Sequence, residues 1–245
     1  MFTGRYRICE AFGIPIFVNS SFVFLLLLFV VNSGSISFGI AMALLLALSV
    51  ILHELGHALT ARAFGYTTNS ITLSLLGGCA SFIALPRKAW QEFLTAVAGP
   101  LVSFALAGAV LLLDVFGVQI HSVWLRDVLR HAFWMNLMLG LFNLLPGFPM
   151  DGGRIFRSTM RLFLSRPKAT LVAMWVGRIF AVLLALRGLH LIVTGGGWGF
   201  ISLLIAWMIW QEGYREYRLA LDEERFFRWT QDDFDARVSP PPYDR

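Results

Sequence analysis

Residues 36–59 form an uninterrupted run of apolar and small residues that contains only three titratable side chains, His53, Glu54 and His57. A run of this length is long enough to cross the hydrocarbon core of a bilayer. Titratable groups are costly inside a membrane helix, and their presence there indicates a function. The run therefore predicts a membrane helix whose few polar side chains carry out chemistry.

The spacing of these polar residues is that of a zinc-binding motif. His53 and His57 are four residues apart, so a helix presents both imidazoles on one face, and Glu54 follows the first of them. In the H-E-x-x-H pattern the two imidazoles bind zinc, and the carboxylate accepts a proton from a water molecule. The alternative is that these residues simply pack, with their hydrogen bonds satisfied, inside a helix bundle.

The composition supports a membrane setting. Hydrophobic residues make up 57% of the 245-residue chain and charged residues 14%, against roughly 25% charged in soluble domains. The mean hydropathy is +0.69. The net charge of +5 is typical of membrane topology and contact with anionic lipid, and no basic-aromatic motif indicates a nucleic-acid partner.

We predict an all-α integral membrane protein with about six transmembrane helices and a small β-hairpin. A membrane domain at 1–215 is followed by a charged cytoplasmic helix and polar tail at 216–245. The predicted spans lie at about 17–31, 36–64, 89–115, 132–145, 169–193 and 198–211.

The β-hairpin is predicted between the second and third helices. Residues 70–75 alternate apolar and polar side chains, which is typical of a strand. Gly77 and Gly78 then interrupt this pattern, as a turn would, and the pattern of residues 79–85 is again typical of an extended segment. A strand edge among membrane helices has to be buried in protein or face a wet cavity. The hairpin either pairs with an unwound substrate or merely connects the two helices.

Zinc in a catalytic site needs a third protein ligand. The distribution of Lys and Arg places both termini and the end of the second helix in the cytoplasm, so the motif lies below the cytoplasmic membrane surface. Asp151, on a glycine-rich turn after a helix break, and Glu92, near the start of the third helix, both lie on that side. Asp151 is the better candidate, and Glu92 is the alternative.

Two separate motifs resemble the site-2 protease family of intramembrane zinc metalloproteases. One is the helix Ile51-Leu52-His53-Glu54-Leu55-Gly56-His57-Ala58, and the other is Phe142-Asn143-Leu144-Leu145-Pro146-Gly147-Phe148-Pro149-Met150-Asp151-Gly152-Gly153-Arg154. The intermediate pattern of Gly77-Gly78, Pro86, Glu92 and Ala98-Gly99-Pro100 is similar as well. Met150 departs from the leucine that the family usually places before the aspartate, a change that conserves volume.

The resemblance implies a function for each motif. His53, His57 and Asp151 would bind one Zn²⁺ per chain, Glu54 would act as the general base, and Asn136 and Asn143, on one face of the fourth helix, would line the cleft. Separately from the resemblance, the strand edge of the hairpin makes Gly77 and Gly78 candidate contacts for the substrate. The implied protein is a multi-pass intramembrane endopeptidase that cleaves transmembrane segments of membrane proteins, a minimal member without a PDZ or a cystathionine-synthase-type domain.

Two other classes of protein also fit the sequence. One is a catalytically silent relative that binds membrane proteins, which metal content would distinguish. The other is a different membrane zinc hydrolase, such as a prenyl-protein endopeptidase, which usually takes its third ligand from a Glu on a later helix. The sequence leaves the substrate and the oligomeric state undetermined.

Overall fold

The computed structural model describes residues 4–74, 77–82, 88–197 and 199–238. The chain divides into two compact units, residues 1–145 and 146–245. The first unit contains strands β1 (Arg5–Ala11), β2 (Ile14–Asn19), β3 (Thr68–Ser74) and β4 (Gly77–Phe82), and helices α1 (Ser20–Asn32), α2 (Ile36–Ala63), α3 (Ala89–Val115) and α4 (Val123–Asn143). The second contains helices α5 (Asp151–Met160), α6 (Arg166–Val193) and α7 (Gly199–Val238).

Three of these helices, α2, α3 and α6, are long and apolar enough to cross a membrane. Helix α1 is also apolar but has only 13 residues, or about 20 Å at 1.5 Å per residue. Helix α4 carries Arg126, Asp127 and Arg130 in its first half. The structure therefore supports a multi-span helical protein, and the number of six spans stays a prediction, as does the domain boundary at residue 215.

The sheet is larger than the sequence predicted. The β3–β4 hairpin is present, with Leu73 opposite Gly78 and Ser74 opposite Gly77, but the sheet has four strands in the order β1-β2-β3-β4. Strands β1 and β2 form a second antiparallel hairpin, and β2 runs parallel to β3. The expectation of a single small hairpin in an otherwise helical protein is corrected in this respect.

The two missed strands come directly before α1. The helix was expected to begin at about Phe17, but it begins at Ser20, where the Asn19 side chain caps it by accepting a hydrogen bond from the Ser21 N–H. Ile14, Ile16 and Val18 are buried, and the residues between them are half-buried. This period of two is a strand signal that was hidden because it runs straight into an apolar helix.

The sheet packs against the half of α2 that carries the motif. Ile16, Ile71 and Leu73 are almost completely buried and belong to one core cluster with Val50 and Leu55 of α2. Burying each such aliphatic side chain contributes about 1.5–3 kcal/mol. Helix α2 ends as expected before Gly65, whose φ of +85° suits glycine at this position. The end of α2 nearest the motif is thus held in a fixed orientation on the sheet.

The second unit is held together partly by ion pairs. Arg157 of α5 is buried and contacts Glu216 of α7 at 2.7 Å, and Arg166 of α6 contacts Glu223 at 2.6 Å. Burial raises the pKa of Glu216, but Arg157, Arg154 and Arg166 outweigh this effect, so its pKa lies below the usual value. The carboxylate therefore stays ionised at neutral pH, as its pairing with a buried guanidinium requires.

Candidate metal centre

The two histidines of α2 lie side by side in the interior. His53 and His57 are each 3% exposed, and Glu54 is 8% exposed. The Nε2 atoms of the two imidazoles are 3.2 Å apart. Two nitrogens bound to one tetrahedral zinc ion at about 2.0–2.1 Å would be separated by about 3.3 Å. The spacing of the two rings therefore fits two ligands of a single ion.

Helix α3 contacts the opposite side of each imidazole ring. His57 Nδ1 lies 2.7 Å from the backbone carbonyl oxygen of Thr95, and His53 Nδ1 lies 2.9 Å from the hydroxyl of Ser103, which is completely buried. A carbonyl only accepts, so His57 Nδ1 must carry the hydrogen and donate it. Neutral His57 then presents an unprotonated Nε2, the form that binds a metal. Ser103 can accept the corresponding bond from His53.

Gly99 provides the room in which these nitrogens meet. It lies midway between Thr95 and Ser103, so the three residues share one face of α3. A Cβ atom at Gly99 would lie 2.7 Å from His53 Nε2 and closer still to His57 Nε2. On the facing helix, a Cβ at Gly56 would lie 2.9 Å from the Ala98 carbonyl oxygen. Glycines on both helices thus permit the close approach of α2 and α3 at the motif.

Asp151 is the first residue of α5 in the second unit and is 6% exposed. The turn before it is tightly folded, since a Cβ at Gly153 would lie 2.7 Å from the Gly147 carbonyl carbon. The Phe148–Pro149 peptide bond in this turn is cis. Together, His53, His57 and Asp151 supply two imidazole nitrogens and one carboxylate oxygen, a donor set that can hold a metal ion. Glu92 is buried in the first turn of α3 and is not part of this set in the described residues.

The two asparagines predicted to line the cleft lie on α4, and each amide N–H₂ donates to a carbonyl of its own helix. Asn136 donates to Ala132 and Asn143 to Leu139, both at 2.9 Å. Asn136 is 3% exposed, and its Oδ1 accepts no hydrogen bond in the described part of the chain. A buried oxygen without a donor costs free energy, which makes Asn136 the more informative of the two.

Gly77 and Gly78 begin β4, which pairs with β3 and lies at one edge of the sheet. The strand also contacts α2. Residues 83–85, which the sequence assigned to this extended segment, lie outside the described residues. Contact of the two glycines with a substrate stays a prediction.

The sequence model of Peptidase family M50 matches residues 41–120 and 115–186, which include both motifs. The chain belongs to peptidase family M50. A solved structure, the site-2 protease from Methanocaldococcus jannaschii, superposes with a TM-score of 0.66 at 31% identity over 87% of this chain and 95% of that one. The resemblance to site-2 proteases predicted from the sequence is confirmed.

Two similar proteins carry the words zinc metalloprotease in their names. One, from Synechocystis, is 35% identical over 96% of this chain, and another, from Methanocaldococcus jannaschii, is 37% identical over 75% of it. The chain spans 65% and 53% of the lengths of these two relatives. The zinc in the names of these relatives agrees with the His-His-Asp donor set of this chain, so the predicted zinc cofactor is confirmed.

Two groups on α3 that support the histidines were not predicted from the sequence. Thr95 contributes only its backbone carbonyl, so no side-chain pattern could reveal it. Ser103 is one polar residue in an apolar helix, eight positions after Thr95, and its place on the Gly99 face was the available signal.

Proposed function

We propose that this M50 protein is an intramembrane zinc endopeptidase that hydrolyses a peptide bond within or near a transmembrane segment of a membrane-protein substrate. The observation that carries the proposal is the pair of buried imidazoles, whose Nε2 atoms lie 3.2 Å apart while α3 contacts both Nδ1 atoms. Histidines that merely packed would not need to direct two ring nitrogens at the same point.

His53, His57 and Asp151 would hold the ion, leaving a fourth position open for water or substrate. Zinc, when bound, supplies Lewis acidity at the scissile carbonyl. Glu54 acts as the general base: it takes a proton from the attacking water and passes it to the amine that leaves when the C–N bond breaks. Its position one residue after His53 and its low exposure suit this task.

Substrate recognition is assigned to the two asparagines in the C-terminal half of α4 and to the sheet edge. Asn136 Oδ1 is an acceptor suited to a backbone N–H of an unwound substrate, and Asn143 lies on the same face two turns later. The edge of β4, starting at Gly77 and Gly78, offers main-chain groups to an added strand. The substrate must be unwound, because a helical peptide bond is shielded by its own turn.

The experiment that tests this proposal separates metal binding from catalysis. Glu54→Gln should keep zinc, because Glu54 is not a ligand, yet lower cleavage of a single-span substrate in proteoliposomes by about 100-fold or more. Glu10→Gln, at an exposed carboxylate on β1, is the control and should leave both unchanged. The amount of zinc per chain is measured by elemental analysis, and the extent of substrate cleavage is measured by gel electrophoresis.

Two results would contradict the assignment. Loss of zinc from the Glu54→Gln protein would make Glu54 a ligand, and normal cleavage would remove it from the chemistry. A wild-type protein that binds zinc and single-span proteins but cleaves none of a broad substrate panel would favour the catalytically silent relative instead.

A further inference from the structure

A cavity of about 620 Å³ opens between the C-terminal end of α3, the loop that follows it and the first half of α4. It is well separated from the histidines along α3, because Asp114 on its wall is fifteen residues from Gly99, or about 22 Å. The cavity therefore belongs to the opposite end of these helices, and the proposed peptidase chemistry leaves it unexplained.

The mouth of the cavity carries more positive than negative charge. Arg126 and Arg130, one turn apart on α4, both line it, and Asp114 is the acidic residue on the opposing wall. Arg126 donates to the carbonyl oxygen of Ile120 at 2.9 Å, which uses one of its five N–H groups. Among the described residues, no carboxylate forms an ion pair with either arginine. With His121 neutral, the mouth has a net charge of +1.

The inner wall of the cavity is apolar. Val110 and Leu111 lie one turn before Asp114 on α3, and Leu129 and Phe133 lie one to two turns after Arg126 on α4. Asp114 is thus nearer the end of α3 than Val110 and Leu111 are, and both arginines are nearer the start of α4 than Phe133 is. Since α3 is apolar enough to cross a membrane, the apolar wall points toward the hydrocarbon region and the charged mouth toward the head groups.

We propose that this cavity binds one phospholipid of the phosphatidylglycerol type. The two guanidinium groups would hold the phosphate, whose charge of −1 matches the net charge of the mouth. The glycerol hydroxyls would donate to Asp114, and an acyl chain would lie along Val110 and Phe133. The volume lies within the usual range for small-molecule sites. An acidic peptide could satisfy the arginines, but it would leave the apolar wall without a partner.

The test counts the lipid that stays bound after the purified full chain is washed in detergent and analysed by native mass spectrometry. Wild type should retain one phosphatidylglycerol and bind it at least about tenfold more tightly than phosphatidylcholine. Arg126→Gln combined with Arg130→Gln should abolish this preference. The control, Arg187→Gln combined with Arg218→Gln, removes two exposed arginines elsewhere and should keep it.

A second variant leaves the charges intact. Val110→Trp should fill the apolar wall and lower the affinity to a similar degree, with zinc content unchanged in every variant. Equal lipid binding by wild type and the double-arginine variant would overturn the proposal, because it would indicate general annular lipid. Equally tight binding of glycerol phosphate, or of an acidic peptide in place of the lipid, would also overturn it. Because lipid binding decides this test and zinc content serves only as a control, failure here leaves the peptidase proposal untouched.

Discussion

At the scale of single residues, the direction in which the Nε2 atom of each imidazole points depends on what contacts its Nδ1 atom. Helix α2 supplies His53 and His57, but α3 determines how they are oriented, through the Thr95 carbonyl and the Ser103 hydroxyl. Such partners fix the tautomer and the ring orientation of metal-binding histidines. The carbonyl is part of the backbone and is insensitive to mutation, whereas the hydroxyl can be removed.

Ser103→Ala should weaken zinc binding by about 10–100-fold, measured by competition with a chelator. Ser103→Thr keeps the hydroxyl and should restore most of the affinity. In protein loaded with Co²⁺, the Ala variant should show a shifted absorption band because the His53 ring is no longer held. Ser158→Ala, which removes a buried hydroxyl that donates to Ile155, is the control. Unchanged zinc affinity in Ser103→Ala would reduce Ser103 to a packing residue.

The third ligand is a second question at this scale. Asp151→Ala should lower zinc per chain and cleavage together, because a carboxylate ligand is lost. Glu92→Ala should leave zinc near one per chain, since Glu92 is not part of the His-His-Asp donor set. Elemental analysis of both variants after gel filtration decides the matter. The reverse pattern would assign the ligand to Glu92.

At the scale of secondary-structure elements, the sheet supports α2 on one side of the motif while α3 contacts the histidines. Its two outer strands, β1 and β4, are both edges, and β4 packs against α2. The proposed pairing with an unwound substrate therefore concerns β4, and β1 offers an internal comparison. Unpaired backbone groups each cost several kcal/mol in lipid, so an unwound segment gains by pairing.

Ser81→Pro in β4 should sharply reduce cleavage of a full-length membrane substrate while sparing zinc binding, because proline removes a donor from an edge strand. A proline scan over 77–82 extends the test, and Ile83, the other position suggested by the sequence, lies outside the described residues. Ile8→Pro in β1 is the matched control and should leave cleavage intact. Full activity throughout the β4 scan would make the hairpin a plain connector.

The same elements show what the sequence could and could not predict. Long apolar runs predicted α2, α3 and α6, and the i, i+4 spacing of His53 and His57 predicted their shared face, because both signals are local. The parallel pairing of β2 with β3 joins residues about 55 positions apart, Ile16 with Ile71, and no local pattern encodes it. The contact of Ser103 with His53 is likewise set by helix packing.

At the scale of the whole molecule, hydropathy and charge describe a membrane protein. Large apolar side chains such as Phe24, Leu101 and Trp175 are exposed on α1, α3 and α6, where lipid would cover them. The positive charges near β1, the end of α2 and α5 favour the cytoplasm for those segments. The loop between α3 and α4 would then lie on the opposite side.

This orientation predicts the labelling of cysteines by a reagent that does not cross membranes. Cys9 is exposed on β1 and should be labelled from the cytoplasmic face only. A chain with Val118→Cys, made with Cys9→Ser and Cys79→Ser, should be labelled from the opposite face only, since Val118 is exposed in the α3–α4 loop. Labelling of both positions from one face would rule out the predicted topology.

The missing side chain at Gly99 has a practical consequence. A Gly99→Ala variant would keep every functional group of the proposed centre and disable it by bulk alone. Its added methyl group would occupy the point toward which both imidazoles are directed. Such a chain would differ from the active one by three atoms of hydrocarbon. It would keep the base, the asparagines and the strand edge available to a substrate, and so would serve as bait for capturing natural substrates intact.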